Sequence, residues 1–477
     1  MSKRILIGTH EIAKNVINLA AGFRELGYET DSLVYNANRF YGDSQYTLRT
    51  VGFLEDTTYH TKADGTVGIK TSRKFAEFVK KYDIFIFIAG SSLLPRLVDL
   101  PVLRQMGKTI ISRHCGTEVR DAHLARIFWE DYGRRYPFYE RDLNAPKADI
   151  RCENDLLPLG RYHPGLASKL HNARTSELYA DLVTCGPPSH TLALRPYVQT
   201  GPPIDLRDFR FRIPRRRVPV IVHAPSSMEY KQTDSILRML DELLEEGVRF
   251  HLDLLHEVPN EVVRQKLTDA DIVIDELSCG SGVLAYEGAA AGCAVLSGHD
   301  GVSSPLPRNR PVLNIDEGNF KDRVRKVVEN IDYRTHLAVK GREYVNSGIG
   351  SPASIAACLL NALERAESGD SDLYPTLFTE RCFMPESESI PEYLRQRTLK
   401  IVGKHGVHPS TDIARLVREG FIPDLTQEEM DAIPRWNVSK LKQEGPWILT
   451  GPGAVYGSSE PVVQPEEFGR TSPAAVS

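Results

Sequence analysis

The sequence predicts an α/β protein with two Rossmann-like domains, each built on a parallel sheet that helices cover on both faces. The first observation lies in the second half of the chain, where the apolar runs VPVIVHA, FHLDLL and DIVID alternate with helical patterns. The second is that the first half repeats this alternation, beginning with RILIG. Strands that alternate with helices of this length pair in parallel, and 477 residues are enough for two domains.

In the first half, the RILIG strand is followed by apolar residues at helical spacing from Glu11 to Leu26. Gly27 is typical of a helix C-terminus, and TDSLVY is the next predicted strand. The turn after the first strand reads GTHEIAKN and lacks the GxGxxG pattern of a dinucleotide site. This turn argues against a dehydrogenase.

Loops that follow predicted strands supply the candidate cleft residues of the first half, which are His10, Gly90, His114 and Glu118. We select them because ligands bind beyond the carboxyl ends of parallel strands. Other interpretations stay open: His10 is solvent-exposed, His114 is hydrogen-bonded within its own turn, or Glu118 forms a local ion pair with Arg120.

The second half has three such loops, at Ser226–Lys231, His256–Pro259 and Ser278–Val283. In the last of them, Gly280 and Gly282 let a ligand approach the backbone closely. The helix that opens there aims unpaired N–H groups at an anion. Three loops at one edge of a parallel sheet predict a binding site.

Two charged side chains suit this site to a nucleoside diphosphate. Lys231 offers a point charge to the phosphates, and Glu287, one turn into the helix, is placed to accept hydrogen bonds from ribose hydroxyls. Alone, each also fits a solvated lysine or a surface glutamate; together, at ordered spacing, they favour the nucleotide site. The predicted donor-binding residues are Ser226, Ser227, Lys231, His256, Val258, Gly280, Ser281, Gly282, Val283 and Glu287.

Three segments resemble a known family: HAPSSMEYKQTD, DIVIDELSCGSGVLAYEGAAAGCAVLSG and DLPVLRQMGKTIISRHCGTEVRD. They are similar to the retaining nucleotide-sugar glycosyltransferases of the GT-B fold, of the family 4 or group 1 type, over roughly Arg4 to Ala366. The resemblance implies a hexosyltransferase-like enzyme in which two Rossmann-like domains face a cleft. It also implies that the aromatic and charged segment between Asp121 and Leu170 faces the acceptor; a packed insertion is the alternative.

The resemblance also assigns roles to the candidate catalytic residues. Lys231 neutralises the diphosphate, Glu287 binds the ribose of the leaving nucleotide, and His114 lies near the transferred sugar. The chain departs from the commoner pattern at two positions: Ser226 stands where an arginine is usual, and Cys279 stands where the first glutamate of a Glu-x7-Glu pair is usual. The upstream charge is instead Asp275–Glu276.

These features predict transfer of a sugar from a nucleotide-diphosphate sugar to an acceptor hydroxyl, with three alternatives. A GT-B nucleotide-sugar epimerase needs acid–base carboxylates in the cleft, and none stands out in the first half. A non-catalytic sugar-binding or partner-binding homologue is suggested by Ser226 and Cys279. A nucleic-acid-modifying transferase is disfavoured by the net charge of -4. We expect no cofactor; the acceptor, whether glycan, lipid-linked, small-molecule or macromolecular, is not identified.

Composition predicts a soluble protein, with 41% hydrophobic and 26% charged residues. Seven cysteines without a CxxC pair favour a reducing compartment. The chain runs from MSKR directly into a strand, which leaves no room for a signal peptide, and no apolar run approaches the roughly 20 residues of a membrane span. We expect a cytoplasmic location. Neither a DxD-type pair nor zinc spacing is present, so we expect no metal site.

The predicted boundaries follow the composition of the chain. The first domain is expected at 1–206 and the second at 218–346, joined by a linker at 207–217 that carries six arginines around Pro214. We interpret this linker as solvated; holding an anionic or membrane-linked acceptor is the alternative. A crossover helix at 347–368, an accessory helical segment at 369–449 and a disordered Gly-, Pro- and Ser-rich tail at 450–477 are predicted to follow.

Overall fold

In a computed structural model, the two predicted βα repeats form two separate parallel sheets. The predicted accessory segment and tail lie outside the described residues, apart from Thr426 and Glu428. No helix in the described part of the chain is long and apolar enough to cross a lipid bilayer. The structure describes residues 3–35, 40–41, 46–48, 58–61, 67–70, 73–120, 148–149, 161–162, 169, 172–173, 175–176, 179–185, 197–277, 282–298, 312–346, 350–367, 426 and 428.

The first domain contains a six-stranded sheet of order β10-β9-β6-β5-β1-β2, in which every neighbouring pair is parallel. The pairs β3–β4 and β7–β8 are antiparallel and separate from it. A short 3-10 helix at Pro95–Leu97 precedes α3. The elements are β1 (Arg4–Thr9), α1 (Asn15–Glu25), β2 (Glu29–Val34), β3 (Thr58–Thr61), β4 (Val67–Lys70), α2 (Arg73–Val79), β5 (Ile84–Ile88), α3 (Leu100–Gln105), β6 (Thr109–Arg113), β7 (Ala148–Asp149), β8 (Arg161–Tyr162), β9 (Leu182–Cys185) and β10 (Val198–Gln199).

The second domain follows a short 3-10 helix at Leu206–Asp208 and contains a five-stranded parallel sheet of order β12-β11-β13-β14-β15. Small residues in the helix VLAYEGAAA let it lie against the sheet: a Cβ atom at Gly288 would be 2.9 Å from a methyl carbon of Val273. The elements are β11 (Val220–His223), α4 (Thr233–Glu245), β12 (His251–Leu254), α5 (Asn260–Asp269), β13 (Ile272–Ile274), α6 (Val283–Ala291), β14 (Ala294–Ser297), β15 (Val312–Asn314), α7 (Phe320–Glu329) and α8 (Ile331–Tyr344).

The last helix, α9 (Pro352–Glu367), crosses back to the first domain and packs on α1. The contact is close because Gly22 carries no side chain: a Cβ atom there would lie 2.1 Å from the carbonyl oxygen of Pro352. Two Rossmann-like domains joined by a returning helix are the arrangement that the GT-B resemblance implies. The predicted fold class is confirmed.

The start of α1 differs from the sequence prediction. Helical spacing suggested a start at Glu11, but α1 begins at Asn15, and Lys14 before it has a left-handed φ of 59°. The Glu11 carboxylate instead accepts hydrogen bonds from the backbone N–H groups of Val16, at 3.2 Å, and Ile17, at 3.3 Å. These first-turn N–H groups have no partner within the helix, so a preceding carboxylate caps them.

The prediction of a solvated linker is wrong for part of residues 207–217. Arg212 and Arg216 both pair with Asp271, at 3.1 Å, and the Asp271 carboxylate is fully buried. Arg334, also buried, donates to the carbonyl oxygen of Pro214 at 3.3 Å. A buried carboxylate needs charged partners, and the linker supplies them.

Gly22→Ala tests the contact between α1 and α9. In an exposed helix this change adds about 1 kcal/mol of stability through helix propensity. Here the new methyl group collides with the Pro352 backbone, so we expect a net loss of about 1–3 kcal/mol in urea unfolding. Ala21→Gly, in the same helix, measures the propensity effect alone. A stabilised Gly22→Ala protein would contradict the close packing of the crossover helix.

Candidate functional site

The carboxyl ends of the two sheets contact each other, and the predicted site residues lie at these ends. Arg120, in the loop after β6, donates a hydrogen bond to the hydroxyl of Tyr230, in the loop after β11. The backbone N–H of Asn260, after β12, donates to the carbonyl oxygen of Phe40 at 3.1 Å. Loops from both domains therefore border one cleft, as expected where ligands bind beyond parallel strands.

Lys231 lies inside this cleft but is engaged by two carboxylates. Its Nζ atom is 2.8 Å from Asp275 Oδ1 and 2.9 Å from Glu276 Oε2, and its side chain is 12% exposed. Burial by itself lowers the pKa of Lys231, but the two carboxylates outweigh burial and raise the pKa above its ordinary value. Lys231 is a permanently charged, fixed cation.

The second predicted anion-binding group, the N-terminus of α6, is engaged in the same way. Asp275 Oδ2 accepts a hydrogen bond from the Gly282 N–H at 2.6 Å. Asp275 thus joins the lysine to the helix end, and an incoming phosphate must replace carboxylate oxygens as the acceptor. Burial raises the pKa of Glu276, which favours uptake of a proton by this carboxyl when a second anion arrives.

Glu287 is buried in α6, with 5% of its surface exposed, so it is not a surface glutamate. It accepts a hydrogen bond from Asn260 Nδ2 at 3.2 Å. Burial raises its pKa to about 7, against the opposing effects of Asn260, Lys14 and Arg264. Lys14 belongs to the first domain, so Glu287 faces the interdomain cleft.

The remaining predicted donor residues are less enclosed. Ser226 and Ser227 are exposed, and the Ser227 hydroxyl accepts the Tyr230 N–H at 3.2 Å. His256 is exposed after β12, and Val258 is half-buried. Gly282 and Val283 form the start of α6. Cys279, Gly280 and Ser281 lie outside the described residues.

His114 lies at the end of β6 with 2% of its surface exposed. Its ring is tilted against Tyr197, with centroids 5.9 Å apart, and its Nδ1 is 3.8 Å from Glu118 Oε1, beyond hydrogen-bond distance. Neither ring nitrogen has a hydrogen-bond partner in the described part of the chain, and the same holds for the Thr184 hydroxyl at the end of β9. Buried polar atoms of this kind suit a polar ligand.

Glu118 holds the turn that follows His114. Its carboxylate accepts the backbone N–H groups of Cys115, at 2.5 Å, and Gly116, at 2.9 Å. Burial would raise the pKa of Glu118, but His114 and these N–H groups lower it below its ordinary value. The carboxylate stays charged beside the imidazole.

The other two first-domain candidates differ from each other. His10 is exposed, in agreement with the simpler interpretation of a loop histidine. Gly90 has a left-handed φ of 65°, and a Cβ atom there would lie 2.8 Å from Asn172 Nδ2 and 3.2 Å from Glu118 Cγ. Gly90 therefore lets the loops after β5 and β6 meet at the cleft.

Sequence reasoning missed a carboxylate in the first domain. Glu11 is 1% exposed, accepts a hydrogen bond from the Tyr46 hydroxyl at 3.3 Å, and has a pKa raised by burial to about 7. Glu11 is therefore a buried carboxylate after β1 that the sequence analysis did not select, beside Glu118, which it did. Glu11 was hidden by its place in an apparent helix.

The sequence analysis also did not predict a set of ionic contacts between the two domains. Asp208 in the linker is 2.6 Å from Lys14 of the first domain and 2.9 Å from Arg264 of the second. The Arg120 guanidinium lies 5.1 Å from the Tyr230 ring centroid. Charge pairs between residues so distant in sequence leave no local pattern, so no sequence signal identifies them.

No family model matches this chain, and no curated protein matches it by sequence. Its structure is similar to that of sucrose-phosphate synthase from Thermosynechococcus elongatus, with 12% identity, a TM-score of 0.49, and coverage of 76% of this chain and 99% of that one. The catalytic domain of starch synthase IV from Arabidopsis thaliana, bound to ADP and acarbose, has 12% identity, a TM-score of 0.45 and the same coverage.

A putative UDP-N-acetylglucosamine 2-epimerase from Listeria monocytogenes is also similar, with 10% identity, a TM-score of 0.39, and coverage of 76% of this chain and 96% of that one. At these identities and TM-scores the similarities carry no functional argument. The order and register of the parallel strands define the fold.

Glu11→Gln should flatten the pH dependence of stability. The pKa of Glu11 is about 7 in the folded chain against an ordinary 4.5. The stability from its bound proton is therefore complete below about pH 4.5 and is lost as the pH rises through 7. Glutamine mimics the protonated carboxyl, so we expect the variant to lose less stability between pH 5 and pH 8, by about 3 kcal/mol at most.

Urea unfolding at each pH measures this difference. Glu77→Gln, which removes an exposed carboxylate that pairs with Arg73 on α2, serves as the control and should follow the wild-type profile. Parallel profiles for wild type and Glu11→Gln would show that Glu11 does not hold its proton in the folded chain.

Proposed function

We propose that this protein is a glycosyltransferase that moves a sugar from a nucleotide-diphosphate sugar to an acceptor hydroxyl in the interdomain cleft. The bond between the anomeric carbon and the diphosphate oxygen breaks, a bond from the acceptor oxygen to that carbon forms, and the proton of the acceptor hydroxyl passes to the departing diphosphate. Retention of configuration belongs to this proposal because the sequence resembles retaining enzymes.

One observation carries the proposal. Lys231 and the Gly282 N–H share Asp275 at the carboxyl end of β13, and Glu287 follows one turn into α6, where Asn260 after β12 contacts it. They are opposite His114 and Glu118 at the carboxyl ends of the other sheet, across the contact between Arg120 and Tyr230. A cation and a helix N-terminus stabilise a departing diphosphate, and a buried carboxylate one turn later suits the ribose.

Polar atoms without hydrogen-bond partners among the described residues lie at the ends of β6 and β9. The imidazole of His114 and the hydroxyl of Thr184 are buried without partners among the described residues. Sugar hydroxyl groups both donate and accept hydrogen bonds, so they satisfy such atoms. We place the transferred sugar or the acceptor hydroxyl against this pair.

An epimerase is the second candidate, because this reaction needs acid–base carboxylates in the cleft and Glu11 and Glu118 are carboxylates of the first domain that follow β1 and β6. The raised pKa of Glu11, about 7, suits a group that exchanges protons near neutral pH. Isomerisation of a free UDP-sugar in the absence of any acceptor identifies this reaction. If the protein consumes the donor no faster than protein-free buffer does, it is instead a non-catalytic binding protein.

Donor binding tests the proposed function. Thermal unfolding with UDP-, GDP-, ADP- and TDP-sugars should identify one nucleotide that raises the melting temperature, because ligands of the native state stabilise it by mass action. With that donor, we expect Glu287→Gln to lower the affinity at least about tenfold in calorimetry, since it weakens charge-assisted hydrogen bonds to the ribose worth about 1.5–3 kcal/mol each.

Glu261→Gln, at an exposed position in the first turn of α5, is the matched control and should keep the wild-type affinity. An unchanged affinity in Glu287→Gln would remove Glu287 from the donor site. A chain that none of the four donors stabilises would contradict the proposed function.

Transfer should proceed in excess EDTA at close to its normal rate. Magnesium is needed where carboxylates alone must hold a diphosphate, whereas Lys231 and the α6 N-terminus are permanent parts of the protein. Initial rates with and without EDTA measure this. Loss of activity on chelation and its return with Mg²⁺ or Mn²⁺ would contradict diphosphate binding by Lys231 and the α6 N-terminus alone.

A further inference from the structure

Among the described residues of the second domain, the cluster formed by Lys231, Asp275 and Glu276 has more negative than positive charge. Lys231 lies between Asp275 and Glu276, so in this cluster one positive charge meets two carboxylates. Ser226, in the same loop, is neutral and exposed. A diphosphate brings further negative charge to this point, and like charges repel.

Arg120 of the first domain extends into this region. It follows the His114–Glu118 turn and is half-buried. Its terminal nitrogen donates a hydrogen bond to the hydroxyl of Tyr230, the residue directly before Lys231. Its guanidinium also interacts electrostatically with Glu276, the carboxylate that binds Lys231. Arg120 therefore lies beside the Lys231 cluster although it belongs to the opposite sheet.

Arg120 adds positive charge to the cluster of Lys231, Asp275 and Glu276, as binding of an anionic diphosphate requires. With Arg120 the two cations balance Asp275 and Glu276, and protonation of the Glu276 carboxyl leaves a net positive site. Without Arg120 the same cluster is negative or neutral. Arginine also suits this task because its planar guanidinium binds phosphate oxygens with two parallel hydrogen bonds.

We propose that Arg120 binds the diphosphate of the donor from the first domain and supplies the second positive charge that the second domain lacks at Ser226. This inference rests on the proposed function. Tyr230 holds the guanidinium at the edge of the cleft, and the phosphates replace Tyr230 as its partner. The donor then contacts both domains at once, so its binding favours the arrangement in which the two domains close around the cleft.

Calorimetry with UDP, GDP, ADP and TDP, and with the matching nucleosides, tests this assignment. For the diphosphate that binds wild type best, we expect Arg120→Ala to weaken affinity about 10- to 100-fold and to change nucleoside affinity less than about twofold. Arg120→Lys keeps the positive charge but not the two parallel N–H donors of the guanidinium, so it should lose less diphosphate affinity than Arg120→Ala. Arg104→Ala removes an arginine that pairs with Asp181 before β9, far from the cleft, and should match wild type.

A rescue variant separates charge supply from a structural role. Ser226→Arg places an arginine five residues before Lys231, so in the Arg120→Ala background it should recover most of the lost diphosphate affinity. Recovery supports the inference, because a fold defect would not be repaired from the other domain. Thermal unfolding of each variant confirms that it is folded.

The outcomes distinguish the two proposals. If wild type binds a diphosphate and Lys231→Ala weakens it while Arg120→Ala does not, Arg120 is no ligand and the proposed function stands. If Arg120→Ala loses affinity and Ser226→Arg restores none of it, Arg120 acts through the structure of the cleft, and the inference is overturned. Failure of wild type to bind any of the four diphosphates would remove the proposed function and this inference together.

Discussion

The buried carboxylate of Asp275 is the constraint on which the candidate site depends. It is fully inaccessible to solvent, yet it contacts both the Lys231 ammonium and the N–H of Gly282. A buried charge is tolerated only where paired and hydrogen-bonded groups compensate its desolvation. Asp275 therefore fixes the loop after β11 and the start of α6 relative to the end of β13. The candidate diphosphate site is the space bordered by this loop, this helix start and this strand end.

A second buried charge plays the same part in the first domain. The Arg113 guanidinium, at the end of β6, donates to Asn15 Oδ1 at 2.9 Å and to the carbonyl oxygen of Gly201 at 2.8 Å. It also donates to the Thr200 hydroxyl. Arg113 joins the end of β6 to the start of α1 and to the segment that leaves β10. His114 follows Arg113 directly, so the hydrogen bonds of the Arg113 guanidinium also fix the position of His114.

The cleft combines several ionisable groups whose protonation depends on burial. Glu11 and Glu287 both have pKa values of about 7, raised mainly by desolvation, and burial also raises the pKa of Glu276. Carboxyl groups that titrate near neutral pH make the charge of the cleft responsive to an arriving anion. Such groups are typical of sites that exchange protons with their ligands, whether in transfer or in epimerisation.

The sequence by itself determined the alternation of strands and helices, the two-domain α/β class, the loops that hold Lys231 and His114, and the helix that carries Glu287. These features depend on local periodicity and on the rule that parallel strands collect their carboxyl ends at one edge. Only the tertiary structure decided that Glu11 caps α1, that Asp271 binds the linker arginines, and that Arg120 meets Tyr230. Each of these depends on which distant groups share a buried volume, where desolvation forces charges to pair, and sequence spacing carries no record of that proximity.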